Sequence, residues 1–249
     1  PIKVIREDDR NYLEASHGGQ TIRIEFDKLL IAAGRKPNVK DLGLENLGVE
    51  LTSLGAVKVN SSMQTSISNI FACGDVAGPY QYTHMASYQA FFSSINAMLS
   101  GLWKIQANYK AVPWATYIRP EVARVGLSET EARMQKISYD TTRYELSNLD
   151  RARTEGETKG FIKILTVPKK DKILGVTIVG YQASELIGEF VFAMTHNLGL
   201  RKIIDAIHVY PTMFEANKLA ANEWRKNHLP HKSITWGRRF LAWLSPTGR

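Results

Sequence analysis

The sequence predicts an α/β and α+β fold in two regions that meet near residue 110, and three observations predict it. Before that point, short runs of alternating or wholly apolar residues are typical of strands. After it, similar runs are interleaved with helices whose apolar residues recur with a period near 3.6. The 249 residues carry enough apolar side chains for two modest domains with a core.

The first region is predicted to consist mainly of strands. His17-Gly18-Gly19 supplies a turn, and the continuous apolar run Lys28–Gly34 is typical of a buried strand. A helix is predicted from His84 to Leu99, because its apolar residues share one broad face. The other predicted strands are residues 2–6, 11–15, 21–26, 56–60 and 69–75.

The second region alternates strands and helices. A short helix opens at Ser128 and ends near Lys136, and Ser184 caps a strongly periodic helix that Gly199 ends. Strands are predicted over residues 139–146, 161–167 and 173–179.

Residues 207–215 then combine a rigid turn with a helix start. Pro211 biases Tyr210 toward an extended conformation. Thr212 and Glu215 have the spacing of a capping box, which predicts a helix from about Met213 through Trp224. Such a segment can build an active site or merely end a loop.

Composition excludes several classes of protein. One cysteine, Cys73, excludes a disulfide framework and a multi-cysteine metal site, and it fits a cytoplasmic setting. No apolar run reaches the ~20 residues of a membrane span.

The N-terminus lacks the apolar centre of a signal peptide and an initiator methionine, so we expect a fragment of a longer protein. Much of the net charge of +8 falls in the last 25 residues, but without a recognised module we expect no nucleic-acid binding.

Four segments in order carry a family resemblance. Ile31–Asn38 (IAAGRKPN) resembles the A-x-G-R-x-P-N segment of flavin-dependent pyridine nucleotide-disulfide oxidoreductases, and Ile70–Val76 their second flavin-binding strand. Val112–Glu129 is similar to the opening of their dimerisation domain, and His208–Glu215 to their C-terminal active-site motif. The group includes dihydrolipoamide dehydrogenase, glutathione reductase and mercuric reductase.

The resemblance implies a homodimer that uses FAD and NAD(P)H to reduce a small-molecule disulfide or metal-thiolate. It implies that the NAD(P)-binding domain ends within 1–35, that 36–110 belongs to the FAD-binding domain, that 111–226 is the dimerisation domain and that 227–249 is a tail. The family's dinucleotide loops and cysteine pair are not in this sequence, so we expect the chain alone to be inactive. A dimerisation module without catalysis of its own is the alternative.

The resemblance assigns Asp75, beside Gly74, to the flavin's ribityl chain. Without it, Asp75 would be read as the start of a turn. The start of the predicted helix would face the flavin's pyrimidine edge, with its N–H groups and positive dipole end favouring an electron-rich oxygen. The other residues that the resemblance places at the cofactor are Thr83, His84, Met85, Gly34 and Arg35, the last two mainly structural.

Tyr210 stands where the family's acid–base histidine is expected. A phenol with a pKa near ~10 is a poor base at neutral pH but a competent hydrogen-bond donor or metal-facing ligand. His208 should point to the opposite side of the extended segment. Glu215 either orients the base or only caps the helix. Mercuric reductases also carry a tyrosine here, but their C-terminal cysteine pair has no counterpart in this sequence.

The basic tail has an amphipathic pattern with two interpretations. It is either an interfacial helix that makes weak contact with a membrane or a helix docked on its own dimer. Its apolar residues are Trp236, Phe240, Trp243 and Leu244.

Overall fold

The computed structural model describes residues 2–99 and 103–229, and its contacts divide the chain after Ile105 into two compact units. The tail residues from Pro230 onward, which include the predicted amphipathic pattern, lie outside the described residues. Within the described ranges, no helix combines the length and apolar character that crossing a bilayer requires.

The first unit opens with the three predicted strands, which pair as an antiparallel meander. Its three strands are β1 (Lys3–Glu7), β2 (Arg10–His17) and β3 (Gln20–Phe26), hydrogen-bonded in that order. The turn after His17 places that residue opposite Gln20, so the register of β2 and β3 follows from a two-residue turn of glycines.

The predicted strand over Lys28–Gly34 is wrong. The segment has no strand partner, and Leu30 is 89% exposed. An apolar run becomes a buried strand only when neighbouring strands accept its hydrogen bonds, and none among the described residues pairs with it. The predicted strands 56–60 and 69–75 are reduced to isolated bridges, Leu51 to Val57 and Gln64 to Phe71.

The predicted helix forms as α1 (Thr83–Met98). The side that packs differs from the predicted apolar face, since the helix buries Met85 together with two amides. Gln89 accepts a hydrogen bond from the backbone N–H of Gly74 at 2.7 Å, and Asn96 donates to the carbonyl of Ser62 at 2.9 Å. Hydrogen bonds from buried amides to the preceding loop therefore hold α1 in place.

The second unit is built on an antiparallel sheet, and the three strands predicted for it are confirmed as β6, β7 and β8, whereas β4 and β5 were not predicted. The order across the sheet is β4-β5-β8-β7-β6, so the last strand in sequence lies at the centre. The strands are β4 (Pro113–Thr116), β5 (Glu121–Gly126), β6 (Asp140–Glu145), β7 (Phe161–Thr166) and β8 (Ile173–Gly180).

Helices contact different strands of this sheet. Helix α4 contacts β4, β5 and β8, whereas α6 contacts β6 and β7. Phe190 of α4 and Trp224 of α6 are buried in the same core. The helices are α2 (Glu129–Met134), α3 (Asp150–Thr154), α4 (Ala183–Thr195), α5 (Leu200–Asp205) and α6 (Glu215–Asn227).

Two predicted helix ends on α4 are wrong. Gln182, not Ser184, precedes the helix, and the N–H and hydroxyl of Ser184 both donate to the Glu121 carboxylate, at 3.0 and 2.8 Å. The helix ends at Thr195, and Gly199 instead precedes α5, where a side chain would collide with Asp171. Ser184 and Gly199 therefore serve in tertiary contacts and do not cap the helix.

The predicted start of α6 is partly right. Thr212 accepts a hydrogen bond from the backbone N–H of Glu215 at 3.3 Å, as half of a capping box. The helix begins at Glu215 rather than Met213 and extends beyond Trp224 to Asn227.

Candidate functional site

The first candidate site lies in the first unit, where the chain turns at Gly74. Residues Gly74–Val76 form one turn of 3₁₀ helix, and Gly74 has a φ of +77°. A Cβ at this position would lie 3.1 Å from the Cβ of Ala86 on α1. Gly74 therefore allows the turn that carries Asp75 to pack directly on the first half of α1.

Arg35 connects Asp75 to the start of α1. Its guanidinium lies 3.6 Å from the Asp75 carboxylate and donates to the carbonyl of Gln81 at 3.0 Å. The Asp75 side chain is about half exposed, at 47%. Its ion pair with Arg35 contributes little stability because both partners are exposed. Through its hydrogen bond to Gln81, Arg35 lies between the carboxylate and the helix start. Gly34, which precedes Arg35, has a φ of +109° and open space where a side chain would stand.

Helix α1 begins without a side-chain cap. Tyr82 has extended backbone at the N-cap and makes no capping hydrogen bond with its side chain, and its ring stacks on His84 at 5.3 Å. Thr83 and His84 are exposed at this end, whereas Met85 is buried, so that residue offers only its backbone. An uncapped helix N-terminus beside a carboxylate suits a ligand with both hydroxyl donors and an electron-rich oxygen.

The second candidate site lies in the second unit, on the segment from Ala206 to Glu215. His208 faces inward, and its side chain is 2% exposed. Its Nε2 lies 3.1 Å from the Glu189 carboxylate of α4, and its Nδ1 lies 3.2 Å from the carbonyl oxygen of Ala206. A side chain so enclosed by its own unit does not present a base to a ligand.

Tyr210 faces the other way and is 64% exposed. Its hydroxyl donates to the Asp150 carboxylate at 3.2 Å, and Asp150 is the first residue of α3. This hydrogen bond, with a smaller contribution from the charge of Glu215, raises the pKa of the Tyr210 phenol. The Tyr210 phenol therefore loses its proton less readily than an unperturbed tyrosine.

The segment beside Tyr210 is fixed by local contacts. Thr212 donates to the carbonyl of Val209 at 2.7 Å. An open cavity of about 250 Å³ lies against Pro211 and Thr212 and is also lined by Arg151, Glu155, Tyr181, Gln182 and Met213. Among the described residues, no cluster of His, Cys, Asp and Glu is arranged to hold a metal ion.

Sequence reasoning identified the two segments but missed Glu189 and Asp150. Glu189 is 19 residues from its partner His208, and Asp150 is 60 residues from Tyr210. Asp150 also opens a helix that the sequence did not predict. The two-residue spacing of His208 and Tyr210 did predict that their side chains lie on opposite sides of the segment, as the structure has them.

Comparisons with known proteins match both units. A family model for the pyridine nucleotide-disulphide oxidoreductases matches residues 2–90, and a model for their dimerisation domain matches residues 112–221. Human mitochondrial dihydrolipoyl dehydrogenase is 36% identical over 204 residues, which are 82% of this chain and 40% of that protein. Dihydrolipoyl dehydrogenase of Chlamydia trachomatis is 36% identical over 191 residues, 77% of this chain and 40% of that protein.

Solved structures agree on the fold. The HOCl-induced flavoprotein disulfide reductase RclA from Escherichia coli superposes with a TM-score of 0.76 at 26% identity, over 88% of this chain and 49% of that chain. LpdA from Mycobacterium tuberculosis has a TM-score of 0.78 at 24% identity, over 89% and 47%, and supports the fold alone.

The chain thus spans 40% of the length of the curated relatives it matches. The predicted fold class is confirmed, and both matched segments lead to one family. The chain belongs to the pyridine nucleotide-disulphide oxidoreductases and carries their dimerisation domain at residues 112–221.

Proposed function

We propose that the chain is part of a homodimeric flavoprotein reductase that passes electrons from NAD(P)H through FAD to a small-molecule disulfide or metal-thiolate substrate. The observation that carries this proposal is the match of two domains of one oxidoreductase family, in order, along one chain. The 36% identity to dihydrolipoyl dehydrogenases supports it. Within the family we assign the chain to the group of dihydrolipoamide dehydrogenase, glutathione reductase and mercuric reductase.

The residues of the first unit fit a flavin. Asp75 would accept hydrogen bonds from the hydroxyls of the ribityl chain, because its carboxylate is half exposed beside the start of α1. Thr83, His84 and the backbone of Met85 would face the electron-rich edge of the ring at the uncapped start of α1. When bound, FAD supplies a two-electron acceptor for hydride.

The test is the flavin absorbance of the intact protein that contains this chain. We expect a bound-flavin spectrum, and we expect Asp75→Ala to lower flavin content. Asp41→Asn, at an exposed loop position of the same unit, should leave it unchanged. An intact protein purified without flavin absorbance would overturn the proposed function. Equal flavin content in both variants would overturn the role of Asp75 alone.

In the second unit we propose that Tyr210 and Glu215 complete the active site of the partner subunit. Tyr210 would act as a hydrogen-bonding residue and not as a general base, because its pKa is raised and its hydroxyl proton is engaged by Asp150. The side chain of Glu215 makes no hydrogen bond to Tyr210, so Glu215 does not orient the Tyr210 ring in this structure.

Tyr210→Phe in the intact enzyme tests this role. Losing a hydroxyl that acts in the transition state should lower kcat, whereas Tyr117→Phe, which alters a tyrosine 80% exposed in the same unit, should not. An unchanged turnover in Tyr210→Phe would mean that the side chain only fills space.

The chain by itself we propose to be inactive, because its single cysteine cannot form the cysteine pair that disulfide reduction requires. A dimerisation module is therefore the second candidate function. The apolar side chains of Ile207 and Val209, 96% and 72% exposed, support an interface with a second copy. Light scattering on the purified chain should give a colourless dimer without reductase activity, and a monomer would remove this candidate.

The proposed location is the cytoplasm, supported by the lone, unpaired Cys73. Fractionation of cells that express the intact protein tests it.

A further inference from the structure

An open cavity of about 540 Å³ lies in the second unit where α5 and α6 meet. Its lining includes Arg201 and Lys202 of α5, and Trp224 and Arg225 of α6. The volume is within the range of about 300–1,000 Å³ that is typical of small-molecule sites. The residues that line it belong to neither of the two candidate sites, so the cavity is a separate feature of this unit.

The charged side chains of the lining leave two guanidiniums unpaired. Lys202 and Asp205 lie 3.6 Å apart and offset each other. The carboxylate of Asp171 accepts a hydrogen bond from the backbone N–H of Arg201 at 3.3 Å. In the part of the chain that the structure describes, the guanidiniums of Arg201 and Arg225 have no hydrogen-bond or ion-pair partner. Both are therefore available to an anion that enters the cavity.

A buried side chain of the lining supplies a further donor. Trp224 is 2% exposed, and its indole N–H has no acceptor among the described residues. The ring of His228, which also lines the cavity, stacks on the indole with centroids 4.7 Å apart. A buried donor without an acceptor is destabilising, and an oxygen of a ligand would relieve that cost.

These donors indicate the chemistry of the ligand. A guanidinium presents a planar fork of N–H groups that matches the oxygens of carboxylates and phosphates. A phosphate group offers three terminal oxygens and a carboxylate only two, so a phosphate can engage both forks and still offer an oxygen to the indole. We propose that this cavity binds a phosphate-bearing ligand, with Arg201 and Arg225 as its charged contacts.

The phosphate can belong to a soluble compound or to the headgroup of an anionic phospholipid, which share this chemistry. The site does not depend on the proposed reductase function, because no residue assigned to the flavin or to the Tyr210 site takes part in it. An intact protein without flavin would overturn the proposed function and leave this proposal standing.

Titration of the full chain with inorganic phosphate, followed by nitrogen-15 NMR, tests the site. The indole N–H of Trp224, one of five in the chain and identified by its loss in Trp224→Phe, should shift as phosphate binds. The backbone N–H resonances of Arg201 and Arg225 give the same information if Trp224→Phe does not fold. Succinate, a dicarboxylate of similar charge at neutral pH, should bind at least about ten-fold more weakly. Succinate that binds as tightly as phosphate would overturn the assignment to phosphate.

A pair of double variants tests the two guanidiniums. Arg201→Ala/Arg225→Ala should raise the Kd for phosphate by about ten-fold or more, because charge-assisted hydrogen bonds are lost. Arg133→Ala/Arg143→Ala removes the same charge from exposed positions outside the lining and should change the Kd by less than about two-fold. A chain that shows no phosphate-dependent shift, or the same Kd in both double variants, would overturn the proposal.

Flotation with vesicles distinguishes the two sources of the phosphate. One set of vesicles contains phosphatidylcholine alone, and the other contains equal parts of phosphatidylcholine and phosphatidylglycerol. If the ligand is a lipid headgroup, Arg201→Ala/Arg225→Ala should weaken binding to the anionic vesicles more than Arg133→Ala/Arg143→Ala does. If the ligand is soluble, the two double variants should bind vesicles equally and differ only toward inorganic phosphate. The basic tail is the same in both variants, so it cannot cause a difference between them.

Discussion

Truncation of Met194 to alanine should destabilise the second unit by about 2–5 kcal/mol. Met194 lies in α4, is 8% exposed and contacts Gly126 of β5 with its methyl group. Removing its thioether leaves a cavity between helix and sheet, which adds to the lost burial. Met134 is the matched control, because it also lies in the last turn of a helix but is 77% exposed. Met134→Ala should change stability by less than about 0.5 kcal/mol.

Hydrogen exchange of the β8 amides is the assay, because β8 pairs on both sides and reports unfolding of the whole sheet. At about 1.4 kcal/mol per factor of ten, Met194→Ala should lower protection by roughly 30-fold to 4,000-fold. Ile164→Val, at a fully buried position of β7, gives a milder step of about 0.5–1.5 kcal/mol if the first variant unfolds. Equal loss of protection in Met194→Ala and Met134→Ala would refute the assignment of the core.

Three further predictions concern backbone and charge in the second unit. Gly160→Ala should lower the free energy of unfolding in urea by at least about 1–3 kcal/mol, because φ is +136° and a Cβ would lie 2.8 Å from the Val179 carbonyl carbon. The control is Gly188→Ala in α4, where the space for a Cβ is open, and it should raise the free energy of unfolding by about 0.5–1 kcal/mol. Burial raises the pKa of Tyr144 to about 12, so stability should fall by roughly 2–3 kcal/mol as pH rises from ~10 through ~12, and Tyr144→Phe should remove that decline. Hydrogen bonds from a backbone N–H and an imidazole lower the pKa of Asp140, so stability should fall as pH drops below ~4, and less so in Asp140→Asn.

The strands and long helices that form were predictable because their signals are local. The meander over residues 2–26, strands β6 to β8 and helices α1 and α4 all follow from alternation or a 3.6-residue period. The strand predicted over Lys28–Gly34 fails because its burial depends on neighbours and not on its own composition.

Helix ends were less predictable, because the residues that mark them can serve elsewhere. Ser184 has the side chain of a cap, yet Glu121 accepts both its backbone and hydroxyl hydrogens across 63 residues. Gly199 suits a helix end, but the structure uses its missing side chain to admit Asp171. Neither partner could be inferred from nearby sequence.

The candidate site around Tyr210 was likewise predictable only in part. The motif located Tyr210, and the period of two put His208 on the other side. Asp150 and Glu189 decide what those two side chains can do chemically, and only the folded chain brings them together.

The central position of β8 has a consequence for synthesis. Until residue 180 has been made, β4–β5 and β6–β7 are two separate ribbons, each with an open edge that β8 later joins. Unpaired edges of this kind invite pairing with other chains. A nascent or truncated chain that stops before Ile173 therefore has both halves of the sheet and no strand to unite them, and we expect aggregation to rise sharply at that length.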